Sequence, residues 1–417
     1  MLTEQEFADK INSAGGRAFI VGGYVRDQLM GRQAKDKDYV VCHITKEKFV
    51  ELFPEAKLVG QSFPVYLVDI FDKHCEVSFG RKERKAGIGY RGFDVKFDDS
   101  ITIEEDLARR DTTMNALAVD LKTGEVIDLF GGREDIQKGI VRAISECFKE
   151  DPVRALRAAR QAAQLGFDVD DNTLRLMGEC REELLLEPNE RIFKEMSKAL
   201  EAPRPSVFFR ILEKADLLKD IFPEIHALIG KTQPVEFHPE GDSFEHVMDI
   251  VDKVSAKTDN IIARFAGLAH DLGKGRTPMD MLPHHYGHEV KGLDVLRDWN
   301  KRMTIPKGWL KAANFVIKEH MRAPIIKKEG KIVDLLLATR SIERELPYAD
   351  FKEIIRADHN TLPNYLEQGE DIIKLMLTVS GNDAPEHIKG KAIGEWVHRQ
   401  QLSIFYQWET ISRLKGE

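Results

Sequence analysis

The run Phe19-Ile20-Val21-Gly22-Gly23-Tyr24-Val25-Arg26-Asp27, followed shortly by Asp36-Lys37-Asp38, decides how the first part of this chain folds. An apolar strand enters two glycines and then a helix. Backbone N–H groups and a helix N-terminus can therefore meet a triphosphate with no side chain in the way. Arg26 adds a cation beside that turn. Alternation along a second strand would send Asp36 and Asp38 to one face, where two carboxylates repel unless cations sit between them. Mg²⁺ is the expected cation, because it takes hard oxygen ligands and shares them with phosphates.

Outward from this run, 417 residues are too many for one ordinary core, so two or three domains are expected. Thr3 and Glu6 have capping-box spacing, which predicts a short amphipathic helix over residues 3–12. Strand-like runs at 18–21, 38–41, 65–70, 75–79 and 116–119 alternate with helical stretches such as 46–52. Beyond Pro152 strand signals fade, and helical patterns at 155–165, 171–180, 191–200 and 206–215 continue toward the C-terminus. The fold class is α+β: a head with a mixed sheet and helices, then an all-helical remainder. Hydrophobic residues at 42% and charged residues at 32% suit a soluble enzyme. No apolar run spans a bilayer and no signal-like N-terminus is seen, so no membrane partner and a cytoplasmic location are expected. The four scattered cysteines read as reduced packing thiols.

A net charge of −8 argues against nucleic-acid binding over the whole surface. A local basic patch, Arg81, Lys82, Arg84, Lys85 and Arg91 with Gly87 and Gly89, reads either as a solvated loop or as a phosphate contact. Glu76, in the strand-like run 74–79, is placed to bring a third carboxylate to Asp36 and Asp38, as two-metal phosphoryl transfer needs. In the run 104–116, adjacent arginines and short polar groups suit phosphates and ribose, although a salt-bridged helix face gives the same pattern. Pro152 opens a helix that lines up Arg154, Arg157 and Arg160 at spacings of three. Glu150 and Asp151 suit the positive end of that helix. One acid and one arginine there also match the amino-plus-acceptor edge shared by cytosine and adenine. Farther on lie His246, His270-Asp271-Leu272-Gly273-Lys274-Gly275, His284, His285, His288, His320 and Asp358, a set suited to a transition metal and to phosphohydrolase chemistry.

In their order, these motifs resemble those of the bacterial class II tRNA nucleotidyltransferases, the CCA-adding enzymes, in the long form with an HD phosphohydrolase domain. The resemblance runs from about Phe19 to at least Asp358. It implies Mg²⁺ on Asp36 and Asp38, with Glu76 completing the catalytic set, and triphosphate contacts at Gly23 and Arg26. Arg110 and Asp111 would contact the nucleotide. Asp151 and Arg154 would read the incoming base, with Arg157 and Arg160 nearby. Residues 128–132 are similar to the hinge between head and neck, residues 190–195 to the closing motif of the neck, and residues 87–93 to the flexible loop used in switching to ATP. His246, His270, Asp271 and Asp358 would ligate Ni²⁺ or another transition metal. Thr112 stands where a large apolar residue is common, and Gln161 where an aromatic is common. The implied activity is addition of C, C and A to tRNA from CTP and ATP, alongside 2′,3′-cyclic phosphodiesterase, 2′-nucleotidase and phosphatase activity. The implied division is a catalytic head over 1–140, a base-recognising neck over 141–225, an HD domain over 226–340 and a tRNA-binding tail over 341–417. The alternatives are a CC-adding or A-adding enzyme, a poly(A) polymerase, or an HD phosphohydrolase whose head only senses nucleotides.

Overall fold

The computed structural model describes residues 2–34, 36–59, 64–71, 73–85, 87, 93–96, 98–236 and 238–415. It divides into one unit of Met1–Ala199 with Val207–Ile221 and a second of Leu200–Ser206 with Phe222–Glu417.

The first unit opens with α1 (Glu4–Ser13), which begins at the expected capping box: Thr3 accepts from Glu6 N, and the Glu6 carboxylate accepts from Thr3 N. Then follow β1 (Arg17–Val21), α2 (Gly23–Leu29), β2 (Asp38–Cys42), α3 (Lys46–Leu52), β3 (Lys57–Val59), β4 (Val65–Ile70) and β5 (Lys73–Phe79). A separate hairpin, β6 (Lys82–Lys85) and β7 (Phe93–Lys96), precedes α4 (Ile103–Ala108), β8 (Leu117–Asp120), β9 (Val126–Asp128), α5 (Gly132–Lys138) and α6 (Val153–Leu165). Seven strands form one mixed sheet in the order β3-β4-β5-β2-β1-β8-β9. Within it β2 and β5 run parallel and the other pairings are antiparallel. β3 and β9 are only three residues long, too short to show a period, and went unforeseen.

Period-two alternation explains why the sheet is covered on both faces. Ala18, Ile20, Tyr39 and Val41 join Phe7, Ile11 and Phe49 in one cluster; Phe19, Val21, Val40 and Cys42 join Ile103 and Leu107 in the other. Phe49 centres the first cluster, its ring 5.0 Å from Phe53, 5.2 Å from Tyr66 and 5.3 Å from Phe79. The second unit is helical, with a core of residues such as Ile250, Val316, Leu336, Phe351 and Phe405. None of the helices searched among the described residues is long and apolar enough to cross a membrane.

Phe49→Ala removes a ring with no exposed surface and should cost about 3–5 kcal/mol of head stability. Chemical denaturation followed by circular dichroism measures it, and a loss under about 1 kcal/mol contradicts this packing.

Candidate functional site

The first site grows from the β2–β5 pairing, whose register sets Asp38 opposite Glu76. In a parallel pair, opposed residues share a face, so the two carboxylates stand side by side. Burial and the charges of Glu76 and Asp36 raise the pKa of Asp38, against the pull of Arg110. β2 begins at Asp38, so Asp36 lies just ahead of the strand, exposed, and strand alternation does not place it.

Asp38 and Glu76 open into a cleft of about 470 Å³ that is also lined by Gly22, Gly23, Arg26, Ser78, Arg81, Arg109, Arg110, Asp111, Asn115, Asp151, Arg154 and Arg157. Gly22 has φ +74°, and a Cβ there would meet Arg110 NH1 at 2.9 Å, so glycine permits both the turn and the close guanidinium. Arg26 chelates Asp27 Oδ1 through Nε (2.8 Å) and NH2 (2.7 Å) and donates to Asn115 Oδ1 at 2.8 Å. Buried Asp106 anchors Arg109 at 2.6 Å and Arg110 at 3.1 Å, and those two charges hold its pKa down despite burial.

Asp111 is buried beneath these groups. Its Oδ1 accepts from Thr112 N (2.8 Å) and Asn115 Nδ2 (3.2 Å); its Oδ2 accepts from Arg157 Nε (2.9 Å) and Gln161 Nε2 (3.0 Å). Burial alone would raise its pKa, but Arg157, Asn115 and Arg154 together hold it well below the carboxylate range. Thr112 Oγ1 in turn donates to Gln161 Oε1 at 2.9 Å. The two departures from the family pattern thus form one polar bridge, each group supplying what the other lacks. Asn115, overlooked in the sequence, links Arg26 to Asp111; a short side chain four residues beyond Asp111 was the available signal.

Asp151 and Arg154 both line the cleft, though neither is held as a bare pair. Arg154 donates to the carbonyls of Cys147 (2.8 Å) and Arg109 (2.6 Å), leaving further N–H groups of the same guanidinium. Asp151 Oδ1 accepts from Val153 N, the first residue of α6, at 3.2 Å and from Arg191 at 3.3 Å. Arg160 is not among the lining residues; it binds Glu195 at 2.6 Å and Gln164 at 2.8 Å. Most of the predicted flexible loop, residues 88–92, lies outside the described residues.

The second site gathers His246, His270, Asp271, His288, His320 and Asp358, all deeply buried, from the ends and faces of five helices. His246 sits between Glu240 (2.6 Å) and Asp358 (3.1 Å), whose hydrogen bonds overcome burial and raise its pKa to about 9. Asp271 and Asp358 are held well below the carboxylate range despite their burial, chiefly by His270 with Lys274 and by His246 with His359 respectively. Asp271 Oδ1 and His270 Nε2 are buried without a hydrogen-bond partner, whereas Asp358 Oδ2 faces His359 Nε2 at 3.1 Å. Imidazoles and carboxylates with such orphaned inward atoms fit a divalent transition metal. His284, exposed and stacked on Tyr286, and His285, bonded to Thr277 and Thr232, lie outside the buried set.

Comparison with known proteins matches this architecture. Residues 18–142 match the poly A polymerase head domain, 166–229 the probable RNA- and SrmB-binding site of polymerase A, and 243–375 the HD domain. The multifunctional CCA protein of Nitrosomonas eutropha is 37% identical over 378 residues, 88% of this chain and 90% of the relative. That of Thioalkalivibrio sulfidiphilus is 37% identical over 410 residues, 94% of this chain and 98% of the relative. The chain belongs to the multifunctional CCA protein family. This bears out the nucleotidyltransferase head and HD domain expected from the motifs. Among solved structures, the CCA-adding enzyme of Bacillus stearothermophilus in complex with CTP shares the fold, with TM-score 0.67, 23% identity, and 99% of this chain and 98% of that one covered. The Thermotoga maritima enzyme complexed with tRNA does so with TM-score 0.59, 19% identity, and 99% and 94% covered.

Two outcomes are expected. Gln161→Leu strips a donor from Asp111 and leaves the fully buried Thr112 hydroxyl only its longer bond to Asp111 Oδ1 at 3.4 Å, costing about 1–3 kcal/mol by chemical denaturation; an unchanged stability removes the bridge from the account. Mg²⁺ should raise the melting temperature of the head in wild type but not in Asp38→Asn, because a cation that binds only the folded state stabilises it. An equal rise in both places the ion elsewhere.

Proposed function

We propose that this enzyme adds C, C and A to the 3′ end of tRNA from CTP and ATP, releasing pyrophosphate at each step. The observation that carries the proposal is the Asp38–Glu76 pair at the edge of an arginine-lined cleft in a chain of this family. Adjacent carboxylate oxygens of Asp38 and Glu76 are hard ligands of the kind that Mg²⁺ takes. Asp38, Glu76 and Asp36 would hold it, and when bound it activates the terminal hydroxyl and neutralises the departing pyrophosphate.

The remaining roles follow from position. Gly22 and Gly23 clear the approach of the triphosphate, and Arg26 and Arg110 lie in the cleft to receive its charge. Asp111, kept ionised, orients Arg157 toward the nucleotide and is the acceptor for its ribose. Asp151 and Arg154 supply the acceptor and donor that select cytosine and adenine. Arg160 serves the nucleotide indirectly, by clamping α6 to Glu195. We further assign the head to 1–140, the neck to 141–225 and the HD domain to the chain from 226 through at least Asp358, which belongs to its metal cluster, with tRNA binding in the helices beyond and RNA gripped by shape and phosphates. A cytoplasmic location goes with that substrate. The buried His-Asp cluster would hold Ni²⁺ or another transition metal and hydrolyse 2′,3′-cyclic or 2′-phosphates.

Incubation of tRNA lacking its terminal triplet with CTP and ATP should give three discrete additions ending in A. Absence of extension rejects the proposal, while a long A ladder assigns poly(A) synthesis instead. Asp151→Ala should erode C/A selectivity by ten-fold or more, about 1.4 kcal/mol, with metal binding retained; unchanged selectivity removes the protein-template role.

A further inference from the structure

The ladder that sets Asp38 in the cleft starts at Asp38 itself. Asp38 pairs with Val21 of β1 on one side and with Glu76 of β5 on the other, and no pair of β2 precedes these. Asp36 and Lys37 come before them, so strand pairing does not fix where the Asp36 carboxylate goes. A carboxylate that is to share cations with Asp38 needs its position held by groups behind it.

Lys37 supplies that hold. Its Nζ donates to Glu4 Oε1 at 2.8 Å and lies 5.0 Å from the centre of the Tyr24 ring. The same Glu4 oxygen accepts from the Tyr39 hydroxyl at 2.5 Å. Residues two apart along an extended chain share a face, so one carboxylate oxygen grips positions 37 and 39 together. This is the face that α1 covers: Tyr39 packs with Phe7, ring centres 5.6 Å apart, while Val40 belongs to the opposite cluster. Neighbouring Cα atoms are about 3.8 Å apart, so anchoring Lys37 on the α1 side confines Asp36 and leaves the other side to the acids.

Both ends of the clamp are themselves fixed. α1 buries Phe7, Ala8 and Ile11, and Leu2 O just ahead of it accepts from Phe71 N at 2.9 Å. Tyr24 follows the Gly22-Gly23 turn as the second residue of α2, and its hydroxyl accepts from Gln28 Nε2 at 2.9 Å. The Lys37 and Glu4 side chains are 28% and 24% exposed, sheltered enough for the ion pair to resist screening. Tyr39 is buried, so its hydroxyl would be costly to leave without the Glu4 acceptor.

We propose that Glu4, acting through Lys37, is a positioning residue for nucleotidyl transfer: the Glu4–Lys37–Tyr39 clamp holds the segment ahead of β2 so that Asp36 stands with Asp38 and shares its divalent cations. The inference rests on reading the head as a nucleotidyltransferase whose acids bind Mg²⁺. Neither Glu4 nor Lys37 lines the cleft, so each acts on the cations indirectly.

The test follows Mn²⁺ binding to the full chain by electron paramagnetic resonance, without nucleotide or tRNA. Ions bound by wild type and lost in Asp38→Asn are those of the head. Glu4→Gln and Lys37→Met should each weaken their binding by about ten-fold, the loss that follows removal of a partner behind a metal ligand. The double variant should bind no more weakly than either single one. Net charge alone gives a different pattern, since losing an acid loosens a cation and losing a lysine tightens it. Opposite shifts in the two variants, or an unchanged affinity in either, overturn the proposal, and so does a wild type from which Asp38→Asn removes no ion. Circular dichroism checks folding; should Glu4→Gln not fold, the sign of the Lys37→Met shift decides.

Extension of tRNA is read separately. Raising Mg²⁺ should return both variants to near the wild-type rate, and a rate that stays low at saturating Mg²⁺ overturns the clamp. Head ions bound normally by wild type without extension refute the reaction and leave the clamp to the binding data. Extension by a Glu4→Gln enzyme that binds its ions as wild type does refutes the clamp and leaves the reaction.

Discussion

Like charges forced together at one strand edge are the constraint on which the head depends. The parallel pairing of β2 and β5 sets Asp38 against Glu76, with Asp36 close enough to add to the repulsion. A fold that sought only stability would separate them. The cost is tolerable because both faces of the sheet are packed behind that edge, Val40 and Cys42 on one side and Tyr39 and Val41 on the other.

The arginine wall opposite works by the reverse logic. Arg109, Arg110 and Arg157 are tied to the buried acids Asp106 and Asp111, which keep their negative charge because those guanidiniums surround them. Held in this way, the arginines lose little further freedom when a phosphate arrives, the benefit of a preorganised fork over a mobile lysine. Thr112 and Gln161 extend the same device, fixing Asp111 by a polar bridge instead of apolar packing.

Much of this was legible in the chain. Capping at Thr3, the helix at Lys46–Leu52, the turn at Gly22-Gly23 and the strands carrying Asp38 and Glu76 follow from local spacing, which reports on neighbours in sequence. What escaped depends on long-range packing. Nothing in the periodicity says that the Arg154 guanidinium spends two bonds on the Cys147 and Arg109 carbonyls, or that Arg160 turns to Glu195. Asp36 reads as a strand residue only if the strand starts two positions earlier than it does. His288 and His320 stood in the histidine-rich region without being separable from His284, because their convergence on Asp271 is set by a glycine contact between helix ends.

The central claim, that the acid pair holds divalent ions against a nucleotide read by the neck, is tested most directly by crystals grown with CTP and Mn²⁺. Anomalous scattering should place Mn²⁺ in contact with both Asp38 and Glu76, with the cytosine edge within hydrogen-bond reach of Asp151 and Arg154. Manganese bound away from that pair, or a base seated away from those two side chains, would contradict the account.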